Sequence, residues 1–423
     1  MVVMFFALTI ILFLLGVPMA ITIGLSSIIY VLLADITPMI VVQRLFTGAD
    51  VSALMAIPFF ILAGNLMLTG GLAQRILDLA NSLVGKITGG LALVTILGCM
   101  FFAAISGSAI ATAAALGTLM IPAMEKKGYN RGFATAIVSN ASPMGVIIPP
   151  SVSLIIYGSL SGSSIKDLYI VGVPAGLIVG LSLLIVVYVI SKKRGYKGND
   201  EAFEFSTFLN ALRRSLWALG TPVILLGGVF LGVVTPTESG VVAVIYAVIV
   251  GLFIYRELKI KDLIGIILDS ARSTAVIMFI VANAALFAYV LAYENIPTMI
   301  VTSVMSLSEN PIIILLLINI ILLFFGAFMD TMAILVIVVP MFLPVIIALG
   351  IDPVLFGIIV VVNTAIGMAT PPFGATLLIA SNIGKHPLMS VARESGWLLL
   401  ALIIALFIIT YIPIVVMFPL WGF

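Results

Sequence analysis

The chain has 423 residues, of which 63% are hydrophobic and 9% are charged; 19 basic residues stand against 17 acidic ones. Soluble domains carry roughly a quarter charged residues, so this composition excludes a water-soluble enzyme and a disordered chain. A net charge of +2, one cysteine (Cys99) and one histidine (His386) exclude a nucleic-acid surface, an internal disulfide and a His- or Cys-rich metal centre. No GxxxxGK[ST] phosphate loop is present, so nucleotide-driven pumping is not encoded in this chain.

About 20 apolar residues cross a bilayer core as a helix. The first apolar stretch, 2–33, lacks a basic leader and is too long for a signal peptide; it reads as a span bent near Pro18. A second span is expected at 50–69. Segment 71–86 is amphipathic, with Arg75, Asp78 and Lys86, and is expected at the membrane interface. Stretch 89–124 is interrupted in the middle by ISGSAIAT, and spans at 131–161 and 168–190 follow. The most polar segment, Ser191 to Asn210, reads as a linker between two halves. The second half offers spans at 221–234 (short), 237–255 and 273–293, with an amphipathic segment at 256–272. Segment 296–308 is short, 310–349 is interrupted by GAFMDT, and spans at 353–383 and 391–418 close the chain. The expected division is 1–88 N-terminal scaffold, 89–190 first transport repeat, 191–309 linker arm and scaffold, 310–390 second transport repeat, and 391–423 C-terminal helix.

Basic residues mark the cytoplasmic side of a membrane protein. With each interrupted stretch returning to its starting side, five loops fall together: 70–88, 125–131, 191–220, 256–272 and 384–393. They hold 17 of the 19 basic residues; only Arg44 and Lys166 fall opposite. The N-terminus is thus expected in the cytoplasm and the C-terminus outside. Two full spans in place of each hairpin would give the same parity.

The two halves resemble each other. MIPAMEKKG and MGVIIPP in the first answer to FLPVIIALG and IGMATPP in the second. One offset of 222 pairs Pro122 with Pro344, Gly128 with Gly350, Gly145 with Gly367, Pro149 with Pro371 and Pro150 with Pro372. Glycine and proline answer specific backbone demands, so these coincidences mark an internal repeat. The turn EKKGYNR is basic, whereas its counterpart ALGIDP has no Lys or Arg. The copies are therefore expected to be inverted across the membrane, a signature of secondary transporters.

Segment 131–161 would run about 46 Å as one helix, longer than the bilayer core. Its middle, SNASPMGVIIPPS, carries Pro143, Pro149, Pro150 and Gly145, and the helix is expected to break there. NTAIGMATPPFGAT at 363–376 predicts the matching break. Freed carbonyls at such breaks are hard oxygen ligands for a cation. Ser106, Gly107 and Ser108 are expected at one hairpin tip, and Gly326, Asp330 and Thr331 at the other. The alternative for SGS is close helix packing alone.

Asp330 is the one charge predicted at membrane depth. Such a carboxylate can coordinate a cation, accept hydrogen bonds from substrate, carry a proton, or simply cap the second hairpin helix. Asn65, Asn140, Asn283 and Asn363 read equally as interhelical glue or as ligands. Trp217, Trp397 and Trp421 read as interfacial anchors. An intramembrane protease lacks its partners here: Ser106 and Ser108 have no histidine, and Asp330 has no second aspartate. A channel with a filter built from hairpins is a further alternative.

AISGSAIATAAALGTLMIPAM, SNASPMGVIIPPS, FGAFMDTMA and NTAIGMATPPFGATL resemble the large membrane subunit of TRAP transporters, the tripartite ATP-independent periplasmic transporters. The likeness runs over essentially the whole chain. It implies an all-α polytopic membrane protein, an inverted-repeat elevator-type secondary transporter with two re-entrant helical hairpins and two broken helices. It also implies Na+-coupled uptake of an organic acid anion in the inner membrane. The implied partners are a small membrane subunit of about four spans and a periplasmic substrate-binding protein. By motif, one Na+ site would use Ser106, Gly145, Ile148 and Pro150. A second would use Gly326, Gly367, Thr370 and carbonyls up to Phe373. Ser108, Ser153 and Asp330 would face the substrate. A stand-alone sodium/dicarboxylate-type symporter of the same superfamily is the alternative.

Overall fold

The computed structural model describes every residue except 199–204, 309 and 422–423. Every regular element among the described residues is a helix, with no strand. Among the described residues, five helices are long and apolar enough to cross a membrane, or up to seven if each of two bent pairs counts as one span. Large apolar side chains such as Val3, Leu14, Leu15, Leu231 and Ile260 stand exposed on the outside. That surface suits lipid, not water.

Helix breaks fall where backbone chemistry demands them. The 2–33 stretch divides into Val2–Leu14 and Met19–Leu33 around Gly16 and Pro18. Interrupted stretch 89–124 is two helices, Gly90–Ser106 and Ala109–Lys126. Gly107 ends the first with φ +60°, a conformation glycine adopts without cost, and Ser108 caps the second. The counterpart, Pro311–Gly326 and Thr331–Ala348, turns through Asp330, which caps its second helix. Segment 131–161 breaks into Arg131–Ala141, the single turn Met144–Ile147, and Val152–Ser161, bent by 43°. Segment 353–383 breaks into Pro353–Gly367 and Ala375–Gly384. The Pro149–Pro150 and Pro371–Pro372 bonds are both cis.

The repeat extends well beyond the motifs that reveal it. A shift of 222 lays Leu72–Val84 over Ile296–Leu307, and Ile165–Arg194 over the pair Leu388–Glu394 and Gly396–Tyr411. Packing is crossed between copies. Val152–Ser161 packs on Thr331–Ala348, and Ala375–Gly384 packs on Ala109–Lys126. Likewise Met19–Leu33 packs on Ile260–Tyr293, while Pro236–Ile249 packs on Ala56–Thr69. Each copy thus buries apolar faces that the other exposes, so neither half is a free-standing unit.

Several elements differ from expectation. Segment 256–272 is not a separate interfacial helix: Ile260–Tyr293 runs as one rod of 34 residues. Charges at Lys261, Asp262, Asp269 and Arg272 change the surroundings a helix prefers, but they do not stop it. Its counterpart is broken into Met39–Ala49, which hydropathy did not flag, and Ala56–Thr69. Asp50 and Pro58 interrupt that copy; Arg272 and Ile280 stand at the same places in the rod. Pro58 falls in the first turn of Ala56–Thr69, where its missing N–H costs no helical hydrogen bond. Stretch 221–234 is the end of Phe205–Phe230, which leaves Trp217 in mid-helix. The linker expected at 191–210 is helical to Arg194 and again from Phe205; 199–204 lie outside the described residues. The apolar face of Leu72–Val84 is covered by Gly90–Ser106 and Phe205–Phe230.

Buried amides join helices across this core. Asn363 Nδ2 donates to Asn319 Oδ1 at 2.8 Å, and Asn319 Nδ2 donates to Thr410 Oγ1 at 3.2 Å. Asn140 Nδ2 reaches Ser395 Oγ at 2.9 Å. Asn319→Ala removes the Thr410 link and one of the two acceptors of Asn363 Nδ2, which keeps the backbone carbonyl of residue 319 at 3.1 Å, and is expected to lower stability by about 1 kcal/mol, read as a drop in unfolding temperature.

Candidate functional site: two hairpin tips against two helix breaks

The first tip is a compact knot of oxygens. Ser106 Oγ lies 3.0 Å from Thr112 Oγ1 and 3.4 Å from the Ser108 carbonyl oxygen. Thr112 Oγ1 donates to that same carbonyl at 2.8 Å. Ser108 Oγ accepts the Ala111 N–H at 3.3 Å, the usual bond of a helix N-cap.

The first break closes on this knot. A Cβ on Gly145 would stand 2.6 Å from the Ser108 carbonyl oxygen and 2.8 Å from Thr112 Oγ1. A Cβ on Gly107 would stand 2.7 Å from the Pro150 carbonyl oxygen. Each glycine therefore holds its backbone against an oxygen of the opposite element. Beyond the break, Ser151 Oγ accepts the Leu154 N–H at 3.3 Å and donates to the Val146 carbonyl at 2.5 Å. Ile148 packs its side chain on Gly176 of Ile165–Arg194, leaving its backbone in the extended stretch. Ser153 is fully buried, and its hydroxyl has no hydrogen-bond partner.

The second tip repeats the plan with different contacts. Gly326 and Gly367 meet backbone to backbone: a Cβ on Gly367 would fall 2.4 Å from Gly326 Cα. The Phe373 N–H donates to the Ala327 carbonyl at 3.2 Å, tying the break to the tip. Thr370 Oγ1 donates to the Ile366 carbonyl at 2.8 Å. The Met368 carbonyl accepts both the Thr376 N–H, at 3.0 Å, and Thr376 Oγ1, at 2.8 Å. The Phe373 ring is exposed and lies 6.0 Å from that of Phe328.

Ser108 and Asp330, equivalent in the repeat, are equivalent in the fold. Asp330 Oδ2 accepts the Met332 N–H at 3.0 Å, so it caps its helix as Ser108 does. They open on neighbouring cavities along the Ile260–Tyr293 rod. Ser106, Gly107 and Ser108 line one of about 250 Å³, with Asn65, Ser273 and Met332. Asp330 lines another of about 320 Å³, walled by Phe13, Met19, Val276 and Ile280. Asn65 and Ser273 add polar groups opposite the tip in the first, whereas the walls facing Asp330 in the second are apolar. Asn65 also donates to Ser270 Oγ at 2.9 Å.

The structure brings the tip and break motifs named from the sequence together, and adds Thr112, Ser273 and Met332, which the sequence did not single out. Thr112 was legible as the last residue of ISGSAIAT, six residues from Ser106 and therefore within reach only across the turn. Ser273 and Met332 carry no signal in a single sequence. Asn140 and Asn363 serve as interhelical links, as above. The Asn283 amide fills the space over Gly24 and donates to the Phe279 carbonyl at 2.8 Å.

Known proteins match this chain over most of its length. The family model described as the tripartite ATP-independent periplasmic transporter, DctM component, matches residues 2–415. The C4-dicarboxylate TRAP transporter large permease protein of Pseudomonas aeruginosa is 42% identical over 372 residues, covering 88% of this chain and 87% of that protein. The sialic acid TRAP transporter large permease protein of Vibrio cholerae is 37% identical, covering 94% of this chain and 93% of its own. The isethionate TRAP transporter permease protein DctMQ of Oleidesulfovibrio alaskensis is 42% identical over 95% of this chain, which spans 64% of that relative. The solved structure of the Alcanivorax borkumensis YdaH transporter shares the fold, with TM-score 0.61 at 13% identity over 90% of this chain and 88% of that one. This chain belongs to the DctM family, the large membrane permease component of tripartite ATP-independent periplasmic transporters.

Proposed function

We propose that this permease takes up an organic acid anion, delivered by a periplasmic binding protein, and couples uptake to Na+ through the two tip-and-break junctions. The observation that carries the reading is the convergence of Ser106, Thr112, Gly145 and the Ser108 and Pro150 carbonyls. Among the described residues no three His, Cys, Asp or Glu side chains gather, so the oxygens on offer are hydroxyls and carbonyls. That donor set suits a hard monovalent cation better than a transition metal. Gly326, Gly367, Thr370 and the carbonyls up to Phe373 form the second such set.

The relatives' names give three anions: a C4-dicarboxylate, a sialic acid and isethionate. All present a carboxylate or sulfonate. The Ser108 cavity has no Lys or Arg among its lining residues. An anion there would be held by Ser108, Asn65, Ser273 and the N–H groups that open Ala109–Lys126, with bound Na+ supplying positive charge. Substrate and ions would then move together, as a unit of hairpins and broken helices sliding against the scaffold helices. A small membrane subunit would complete the permease, in the inner membrane with its N-terminus in the cytoplasm.

The test is uptake into proteoliposomes holding both membrane subunits, with and without a Na+ gradient and the cognate binding protein. Uptake that ignores the binding protein would refute the tripartite reading. Ser106→Ala and Thr112→Val are each expected to raise the Na+ concentration for half-maximal uptake by about tenfold. An unchanged Na+ dependence in both would remove the first ion site.

A further inference from the structure

We propose that the scaffold holds a binding site for an anionic phospholipid headgroup, in an arginine-lined basin distant in sequence from both hairpin tips. The basin measures about 630 Å³ and draws on three separate segments: 74–78, 213–217 and 254–257. The first two lie in loops that the charge bias puts on the cytoplasmic side and the third straddles the start of another, 256–272, so the basin faces the leaflet where anionic lipids are attracted to basic residues.

Its walls are built, not incidental. Tyr255 Oη donates to the Arg214 carbonyl at 2.9 Å and accepts the Ala218 N–H at 3.1 Å. Ser215 Oγ donates to the Arg75 carbonyl at 2.8 Å. The Arg75 guanidinium stacks 3.7 Å from the centre of the Tyr255 ring and pairs with Glu257 at 2.8 Å. The second acid, Asp78, accepts from Gln74 Nε2 at 3.1 Å. Arg75 is thereby fixed and its charge answered. Arg213 and Arg214 line the same basin, and neither guanidinium has an ion pair or hydrogen bond among the described residues.

Two adjacent guanidiniums without partners match the oxygens of a phosphodiester. What selects a lipid over a soluble phosphate is the border. Trp217 and Ile254 line the basin beside the arginines and are exposed, and their chain neighbours Leu216 and Phe253 are exposed too. A headgroup with acyl chains satisfies both the charge and the apolar rim; Trp217 in mid-helix then sits at the level of the headgroups. The occupant would bridge Leu72–Val84, Phe205–Phe230 and the end of the 236–254 helix. This site does not depend on the transport reading.

The test is lipid retention by the purified protein in phosphatidylcholine with phosphatidylglycerol added, read by native mass spectrometry and by unfolding temperature. Wild-type protein should retain phosphatidylglycerol over phosphatidylcholine and unfold at a higher temperature with it. Arg213→Gln with Arg214→Gln should cut retention by about tenfold. Arg213→Lys with Arg214→Lys should recover part of it, and Lys126→Gln with Lys127→Gln should match wild type. Equal retention of the two lipids by wild-type protein overturns the site even if no variant folds. So does loss of lipid in the lysine control, which would mean diffuse charge. Protection by inorganic phosphate alone would deny the lipid, and displacement of lipid by the bound small subunit would make the basin a protein interface.

Discussion

Gly367→Ala is expected to abolish uptake and lower the unfolding temperature. The added Cβ would meet Gly326 Cα at 2.4 Å, its carbonyl carbon at 2.5 Å and its carbonyl oxygen at 2.9 Å. All three are backbone atoms, so no side chain can swing aside. Overpacking of this kind costs about 1–3 kcal/mol when the surroundings yield. Here yielding means parting the second tip from its break, which pulls apart the Ala327 carbonyl and the Phe373 N–H. Uptake in proteoliposomes and thermal unfolding of the purified protein check the two effects. Wild-type uptake in this variant would show that the junction does not need the close approach.

Asp330→Asn separates the charge of that residue from its capping. Asparagine caps a helix about as well as aspartate, so stability is expected to stay near wild type. Asp330→Ala removes the bond to the Met332 N–H and is expected to cost about 1 kcal/mol. If the carboxylate serves transport, both variants lose uptake by tenfold or more, although only one is destabilised. Normal uptake in Asp330→Asn would reduce the residue to a cap, the role its geometry already shows.

The parts of the fold legible in the sequence are those where one residue type forces the backbone. Gly145, Pro149 and Pro150, with Gly367, Pro371 and Pro372, announced both breaks because few other residues produce them. The SGS turn and Asp330 announced the two tips for the same reason. Ordinary helical sequence is more permissive. Residues 39–49 and 261–271 share a place in the repeat with little shared sequence, since many side chains satisfy a helix. Hydropathy also misread the rod at 260–293, because it measures the environment a segment prefers and not whether its backbone continues. The candidate site was legible as motifs, but not as contacts. Thr112 reaches Ser106 only once the turn is folded, and Ser273 and Met332 enter the cavity only through crossed packing.

The rod and its jointed counterpart differ in how they tolerate a change of length. One residue inserted near Arg272 would turn everything beyond it by about 100° and advance it by about 1.5 Å. Asn283 would leave Gly24, and Ala285 would leave Gly48, which it now meets closely. An insertion at 50–55, between Met39–Ala49 and Ala56–Thr69, falls outside any α-helix and leaves the phase of both neighbours intact. Two segments at the same place in the repeat are therefore under unequal constraint, so length variation among relatives of this chain should collect at the joint and avoid the rod.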